Sequence, residues 1–313
     1  MKKILILLST YNGEKYLDEQ LNSIYAQKNV RVHILARDDG STDTTLSILR
    51  KYQTTYGQMT IYSDKNIGCK KSFFKLIQIA SSLNAVFDYY AFSDQDDIWD
   101  SDKLISAINI LDTSQNKYKL YYSDSRCVDN NVKEIPVLPI ITEESLPSAV
   151  ISSHSLGCTQ VFNNSLLYKA SIINTSILPS LTDQEYMPQH DTWLLVTARS
   201  LNGFLYHDLV PHINYRQHAS NVVGGGTNSS ISTFFSRLKR HWQHPNMRSR
   251  LALYIIIAYA EYLPEASYMI LTQIAYYKST LKSKLRLLFS RKIVTGNRAI
   301  DIPMKILIAL GRF

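Results

Sequence analysis

The 313-residue chain is 45% hydrophobic and 19% charged, a balance that excludes wholesale disorder and supplies enough apolar material for one large α/β domain with an appendage, or for two domains. Its net charge of +8 is uneven: residues 1–230 hold 20 Lys+Arg against 23 Asp+Glu, whereas residues 231–313 hold 14 against 3. The three cysteines, Cys69, Cys127 and Cys158, are odd in number and widely spaced, which excludes a disulfide framework or a regular zinc motif and fits a reducing cytosol.

Two lysines followed by the apolar run 4–8 are too short for a signal-peptide core and lack a cleavage site of small residues. Residues 2–8 instead predict a parallel strand covered on both faces. After the loop Ser9-Thr10-Tyr11-Asn12-Gly13, the spacing of Tyr16, Leu17, Leu21, Ile24 and Tyr25 predicts a helix over 14–27. A second strand is expected over 30–36. It runs into Asp38-Asp39-Gly40-Ser41-Thr42-Asp43, where Ser41 or Asp43 is placed to cap a helix over 44–52. A short strand at 59–62, the turn Asn66-Ile67-Gly68 and a helix over 70–83 follow. Then come a strand at 89–93, a helix over 102–111 and a strand at 120–123.

The strand–loop–helix order predicts a doubly wound, mostly parallel sheet with helices on both faces. Ligands of such sheets bind beyond the carboxyl ends of the strands. Four polar loops converge on that rim: 10–12, 38–39, 66–68 and the acids Ser93-Asp94-Gln95-Asp96-Asp97. Three carboxylates in four residues repel one another. A hard divalent cation with oxygen ligands, shared with a diphosphate, neutralises such a run.

Residues 134–156 carry three prolines and no period, as a lid or substrate loop does. A helix is expected over 190–201, and one or two strands over 204–215, which contain Pro211. Beyond Gly224-Gly225-Gly226 the basic tail shows helical patterns at 234–242, 251–263 and 268–289. None reaches the ~18 apolar residues of a membrane span. The shift in charge suggests a catalytic domain over 1–228 and a helical region over 229–313.

Three motifs, Ser9-Thr10-Tyr11-Asn12-Gly13, Arg37-Asp38-Asp39-Gly40-Ser41-Thr42-Asp43 and Ser93-Asp94-Gln95-Asp96-Asp97-Ile98-Trp99, resemble the family 2 glycosyltransferases of GT-A fold. His190-Asp191-Thr192-Trp193 and Tyr215-Arg216-Gln217-His218-Ala219-Ser220-Asn221 resemble its bacterial rhamnosyltransferase branch. The likeness covers roughly residues 1–225. It implies inverting transfer of a sugar from a nucleoside diphosphate to an acceptor hydroxyl. The best match for the donor is dTDP-rhamnose, with UDP-hexoses as the alternative.

On this resemblance Thr10, Tyr11, Asn12 and Glu14 contact the nucleotide. Asp38 or Asp39 accepts the imide N–H of uracil or thymine, a job for an acceptor-only carboxylate. Asn66 and Gly68 close the other side, and Lys70 or Lys71 offsets diphosphate charge. Asp94, Gln95 and Asp96 reach the ribose and sugar. Mn²⁺ or Mg²⁺ falls to Asp96 or Asp97, with a further ligand at His218. Asp191 is the expected base that takes the acceptor proton, although an N-cap would also place an aspartate there. Trp193 suits either the acceptor sugar or a core.

The tail interleaves cations with large apolar residues, as in Phe234, Arg237, Trp242, Lys282, Leu285, Arg286 and Phe289. That composition fits a helix lying on an anionic membrane surface, or a helical bundle packed on the catalytic domain. A lipid-linked acceptor at the inner face of the cell membrane would suit the first. Capsular or other cell-surface polysaccharide synthesis and a homodimer are further expectations. Nucleic-acid binding leaves the four polar loops unexplained. A nucleotidyltransferase would carry a glycine-rich basic loop after the first strand, where this chain has one glycine and no arginine.

Overall fold

A computed structural model describes residues 1–136, 144–153, 155–181, 186–217 and 245–313. Its strands are β1 (Lys2–Thr10), β2 (Val30–Asp38), β3 (Met59–Ser63), β4 (Tyr89–Ser93), β5 (Ile98–Trp99), β6 (Lys119–Ser123), β7 (Arg126–Val128), β8 (Val161–Asn163), β9 (Phe204–Asp208) and β10 (Ile213–Arg216). The helices begin with α1 (Leu17–Tyr25), α2 (Thr45–Tyr56), α3 (Cys69–Ser82), α4 (Lys103–Asp112), α5 (Leu146–Ile151) and α6 (Asn164–Ser171). They continue with α7 (Ile173–Ser176), α8 (His190–Ser200), α9 (Met247–Tyr259), α10 (Glu265–Ala275), α11 (Leu281–Leu288) and α12 (Arg298–Ala309).

These residues form two units. The first comprises 1–136, 155–174 and 203–217; the second comprises 144–153, 175–181, 186–202 and 245–313.

In the first unit a seven-stranded sheet runs β3-β2-β1-β4-β8-β6-β9. All neighbours are parallel except β8, which is antiparallel to β4 and to β6. Both faces of β1 are covered, as its unbroken apolar run requires. Ile4, Ile6 and Leu8 pack with Leu17, Leu21 and Ile24 of α1, Leu49 of α2 and Leu104 of α4. The opposite face meets α3, whose Phe73 ring lies edge-on to Phe92 at 5.7 Å. The register sets Thr10 beside Asp38 and Asp38 beside Ser63, so β1, β2 and β3 end flush. A second sheet, β5-β10-β7, draws the segment after the acid run against residues 213–216.

In the second unit Trp193 of α8 and Tyr259 of α9 are fully buried, with rings 5.8 Å apart. Arg248 Nε donates to the Ile151 carbonyl at 2.7 Å and so ties α9 to α5. The buried ring of Phe313 meets Tyr277 edge-on at 5.8 Å.

Several expectations change. Residues 14–16 precede the first helix, which starts at Leu17. The span 204–215 resolves into β9 and β10, which belong to different sheets. The single helix expected over 268–289 is two, because the Thr280 hydroxyl accepts the Ser283 N–H at 3.0 Å and starts α11 afresh. Residues 144–153, expected to be irregular, contain α5, with Ser145 as its cap. The pattern at 234–242 lies outside the described residues.

Candidate active site

The first two rim loops are stitched together by their own side chains. Asn12 Oδ1 accepts the Thr42 N–H at 2.9 Å, and the Ser41 hydroxyl accepts the Asn12 N–H at 2.9 Å. Glu14 Oε2 accepts both the N–H and the hydroxyl of Thr44, at 3.1 and 2.8 Å, so it caps the start of α2. Asp43 accepts the Thr45 N–H at 3.0 Å from the same turn.

Asp38 is buried and accepts from the Thr10 hydroxyl, from both the N–H and the hydroxyl of Ser41, and from the Ser63 hydroxyl. Asp39 is buried too. It accepts the N–H groups of Ile67 and Gly68, each at 2.8 Å, and pairs with the Arg37 guanidinium. Arg37 also donates to the Lys65 carbonyl at 3.2 Å. Asp39 thereby fixes the third loop, within which Asn66 Oδ1 accepts the Gly68 N–H at 3.0 Å. A carboxylate offers about four acceptor positions; Asp38 meets four protein donors and Asp39 three.

The acid run is held from both sides. The Gln95 side-chain amide accepts the Tyr11 N–H at 2.8 Å and donates to the Tyr11 carbonyl at 3.0 Å, as one strand pairs with another. On the far side, buried Arg216 donates to the carbonyls of Asp96 (3.0 Å) and Asn130 (2.8 Å) and to Glu19 Oε2 (2.5 Å). Its guanidinium stands 4.4 Å from the centre of the Tyr16 ring, and its N–H meets Asp97 Oδ1 at 3.3 Å. Arg216, Glu19, Tyr16 and Asn130 were missed as a clamp, because no spacing joins residues 19, 130 and 216 until β10 pairs with β7.

Asp97 is fully buried, and its Oδ2 has no hydrogen-bond partner. Burial pushes its carboxyl well above the usual carboxylate range. Asp96 and Asp94 push it further, while the Cys158 thiol and the Arg216 N–H pull it back. Ligand atoms of Asp94, Asp97 and Cys158 lie within 4.8 Å of one another. Lys103 is buried beside them, its ammonium 3.6 Å from the centre of the Trp99 ring. Burial lowers its pKa to about 7, against the pull of Cys158 and Asp97.

The orphaned Asp97 oxygen and the gathered carboxylates have the donor chemistry of a hard divalent cation. Asp96 is outside the 4.8 Å group and half-buried on the rim. Cys158 and Lys103 are further neighbours that the linear pattern of acids does not announce. His218, the expected additional ligand, lies outside the described residues.

Of the remaining expected residues, Thr10 is buried and donates to Asp38, whereas Tyr11 is 47% exposed and Lys71 is exposed. Asp191 lies in the first turn of α8, with Gln189 as the capping residue. Its neighbour His190 is buried, and burial alone lowers the imidazole pKa to about 3, so the ring is neutral. Trp193 is fully buried in the core of the second unit and has no exposed face for a sugar.

Residues 5–136 match the model of glycosyl transferase family 2. The chain is 34% identical over 244 residues to the dTDP-rhamnosyl transferase RfbG of Shigella flexneri, covering 74% of this chain and 78% of that one. It is 26% identical over 237 residues to an uncharacterized glycosyltransferase of Rickettsia prowazekii, covering 72% and 67%. Among solved structures it is similar to S. aureus TarS 1–349 in complex with UDP-GlcNAc. The TM-score is 0.55 at 19% identity, covering 93% of this chain and 77% of that one. The same TarS segment with UDP gives 0.54 at 20% identity, covering 92% and 75%. The mostly parallel sheet, its rim of acids and these likenesses agree: the chain belongs to glycosyl transferase family 2 and is a glycosyltransferase of GT-A fold.

Proposed function

We propose that the protein moves rhamnose from dTDP-rhamnose to a saccharide acceptor, with inversion at the anomeric carbon. The observation that carries the reaction class is the single rim on which Tyr11, Asp39 and the acid run meet. The likeness to the Shigella dTDP-rhamnosyl transferase carries the donor. Asp39 is the better reader of the thymine imide N–H, since its three protein donors leave an acceptor position that the four on Asp38 do not. The exposed Tyr11 ring offers the base a stacking face.

In the displacement the acceptor oxygen bonds to the anomeric carbon as the bond to the diphosphate oxygen breaks. Asp191 takes the acceptor proton, and dTDP leaves. Asp96 and Asp97, with Asp94 beside them, would hold Mn²⁺ or Mg²⁺. When bound, that ion neutralises negative charge on the departing diphosphate. The acceptor in this reading is lipid-linked, and the setting is cell-surface polysaccharide synthesis at the inner membrane face.

A thermal-shift panel of nucleotide sugars, with and without Mn²⁺, tests the reading. dTDP-rhamnose should raise the midpoint, and Asp39→Ala and Asp96→Ala should each abolish the rise. A shift with UDP-hexoses alone would move the donor assignment. Pyrophosphate release from a nucleoside triphosphate would move the chain to the nucleotidyltransferases. No response to any nucleotide sugar would overturn the proposal.

A further inference from the structure

Surface helices ordinarily turn charge to water and apolar side chains inward. Two neighbouring helices of the second unit, α11 and α12, do not. On α11, Leu281, Leu285 and Phe289 just beyond its end recur every fourth residue and are 72%, 43% and 74% exposed. On α12, Ile302 and Ile306, with Leu310 just beyond its end, repeat the spacing at 56%, 38% and 55%. Each helix also buries a separate apolar side, through Leu287 on α11 and through Ile300, Met304 and Leu307 on α12. The outer stripes are therefore additional to the core.

Cations interleave them: Lys282 and Arg286 are exposed beside the first stripe and Lys305 beside the second. Residues 278–312 carry nine Lys+Arg and one acid, Asp301. Asp301 is engaged internally, accepting the N–H and the hydroxyl of Thr295, each at 2.8 Å. Helices of 8 and 12 residues are about 12 and 18 Å long at the α-helical rise, short of the roughly 30 Å of a bilayer core. No helix among the described residues is long and apolar enough to cross a membrane.

We infer that α11 and α12 form a docking face for an anionic lipid bilayer. Leu281, Leu285, Phe289, Ile302, Ile306 and Leu310 enter the interfacial layer, and Lys282, Arg286 and Lys305 reach lipid phosphates. The charge decides the occupant: a second copy of the chain would oppose like charge to like, whereas an anionic leaflet complements it. The inference deepens the proposed lipid-linked acceptor by naming the surface that meets the membrane.

The test is flotation of the 313-residue chain with phosphatidylglycerol-rich vesicles and with pure phosphatidylcholine vesicles. Wild type should float with the first and not the second. Lys282→Ser/Arg286→Ser/Lys305→Ser should weaken binding roughly a hundredfold, at about fivefold per cation. Leu285→Ser/Phe289→Ser/Ile306→Ser should weaken it at least about tenfold with every cation in place. Phe289→Trp should gain a fluorescence component quenched by brominated lipid.

Equal flotation on both vesicle types, unchanged binding by both triple variants, or an unquenched Trp would overturn the inference. So would a wild-type dimer that the apolar triple variant makes monomeric without any vesicle binding. Donor thermal shifts measured on the same proteins keep the two readings apart. Flotation without a donor response sinks the donor assignment alone, and a donor response without flotation sinks the docking face alone.

Discussion

Two glycines on the rim carry different constraints. Gly40 has φ +78°, and a Cβ there would stand 3.0 Å from the Asn66 backbone nitrogen and 3.2 Å from the Asp64 carbonyl oxygen. Left-handed backbone costs an L-residue about 1–2 kcal/mol, and neither backbone atom can swing away. A Cβ at Gly13 would meet the Gln95 carboxamide at 2.4 Å, a side-chain end that can move. Moving it breaks both bonds to Tyr11, about 1 kcal/mol each. Gly13→Ala should therefore cost about 2 kcal/mol in denaturant unfolding, and Gln95→Ala a similar amount. The double variant should cost little more than either alone, because both remove the same clasp. Gly40→Ala should cost at least as much and show no relief from Gln95→Ala. Full additivity of Gly13→Ala and Gln95→Ala would refute the clasp. This division of labour was not legible in the sequence, where Gln95 and Glu14 read as ligands of the nucleotide. Their spacing to Tyr11 and Thr44 becomes a contact only when β1, β2 and β4 lie side by side.

At the scale of elements, long apolar runs announced themselves and short ones did not. β1 is covered on both faces, and its unbroken apolar run marks it, whereas β2 shows through the alternation that Arg31 and His33 impose on its start. β5, β7 and β8 have two or three residues each, too few to show a period. α6 did carry a signal, since Asn163 accepts the Leu166 N–H at 3.3 Å as its cap. Pro303 inside α12 hid that helix.

α8 carries a consequence of burial that a titration can read. His190 keeps its ring neutral down to about pH 3 in the folded chain, against an ordinary value of 6.5. Below pH 6.5 the unfolded chain therefore binds a proton that the folded chain refuses. The associated stability is fully present above 6.5 and is lost as pH falls from there toward 3. Between pH 7 and pH 5 the loss is about 2 kcal/mol, at 1.36 kcal/mol per unit. His190→Gln lacks this proton, so its stability relative to wild type should improve by about 2 kcal/mol over that interval. A pH-independent difference between the two proteins in denaturant midpoints would refute it.

Across the whole molecule, the charge shift near residue 228 falls between the last described segment of the first unit, 203–217, and the last of the second, 245–313, but it is not the only place where the packing divides. The second unit draws its helices from 144–153 and 186–202 as well as from 245–313. Cutting at 228 leaves α5 and α8 attached to the catalytic sequence and removes the helices they bury against. Trp193 loses Tyr259, and the Ile151 carbonyl loses Arg248. Leu194 and Val196, both fully buried, sit on the same helix, and each large apolar side chain returned to water costs about 1.5–3 kcal/mol. A few such losses match the 5–15 kcal/mol that stabilises a typical domain. The strands β9 and β10, which complete the sheets of the first unit, follow α8 directly in the chain and inherit any disorder there. A fragment of residues 1–228 should therefore bind a hydrophobic dye, aggregate, and give no dTDP-rhamnose thermal shift. The full chain carrying Lys282→Ser/Arg286→Ser/Lys305→Ser should keep that shift. A monomeric, cooperatively unfolding 1–228 fragment would show instead that the first unit stands without the second. The basic helices would then be an appendage, as the charge distribution alone implies.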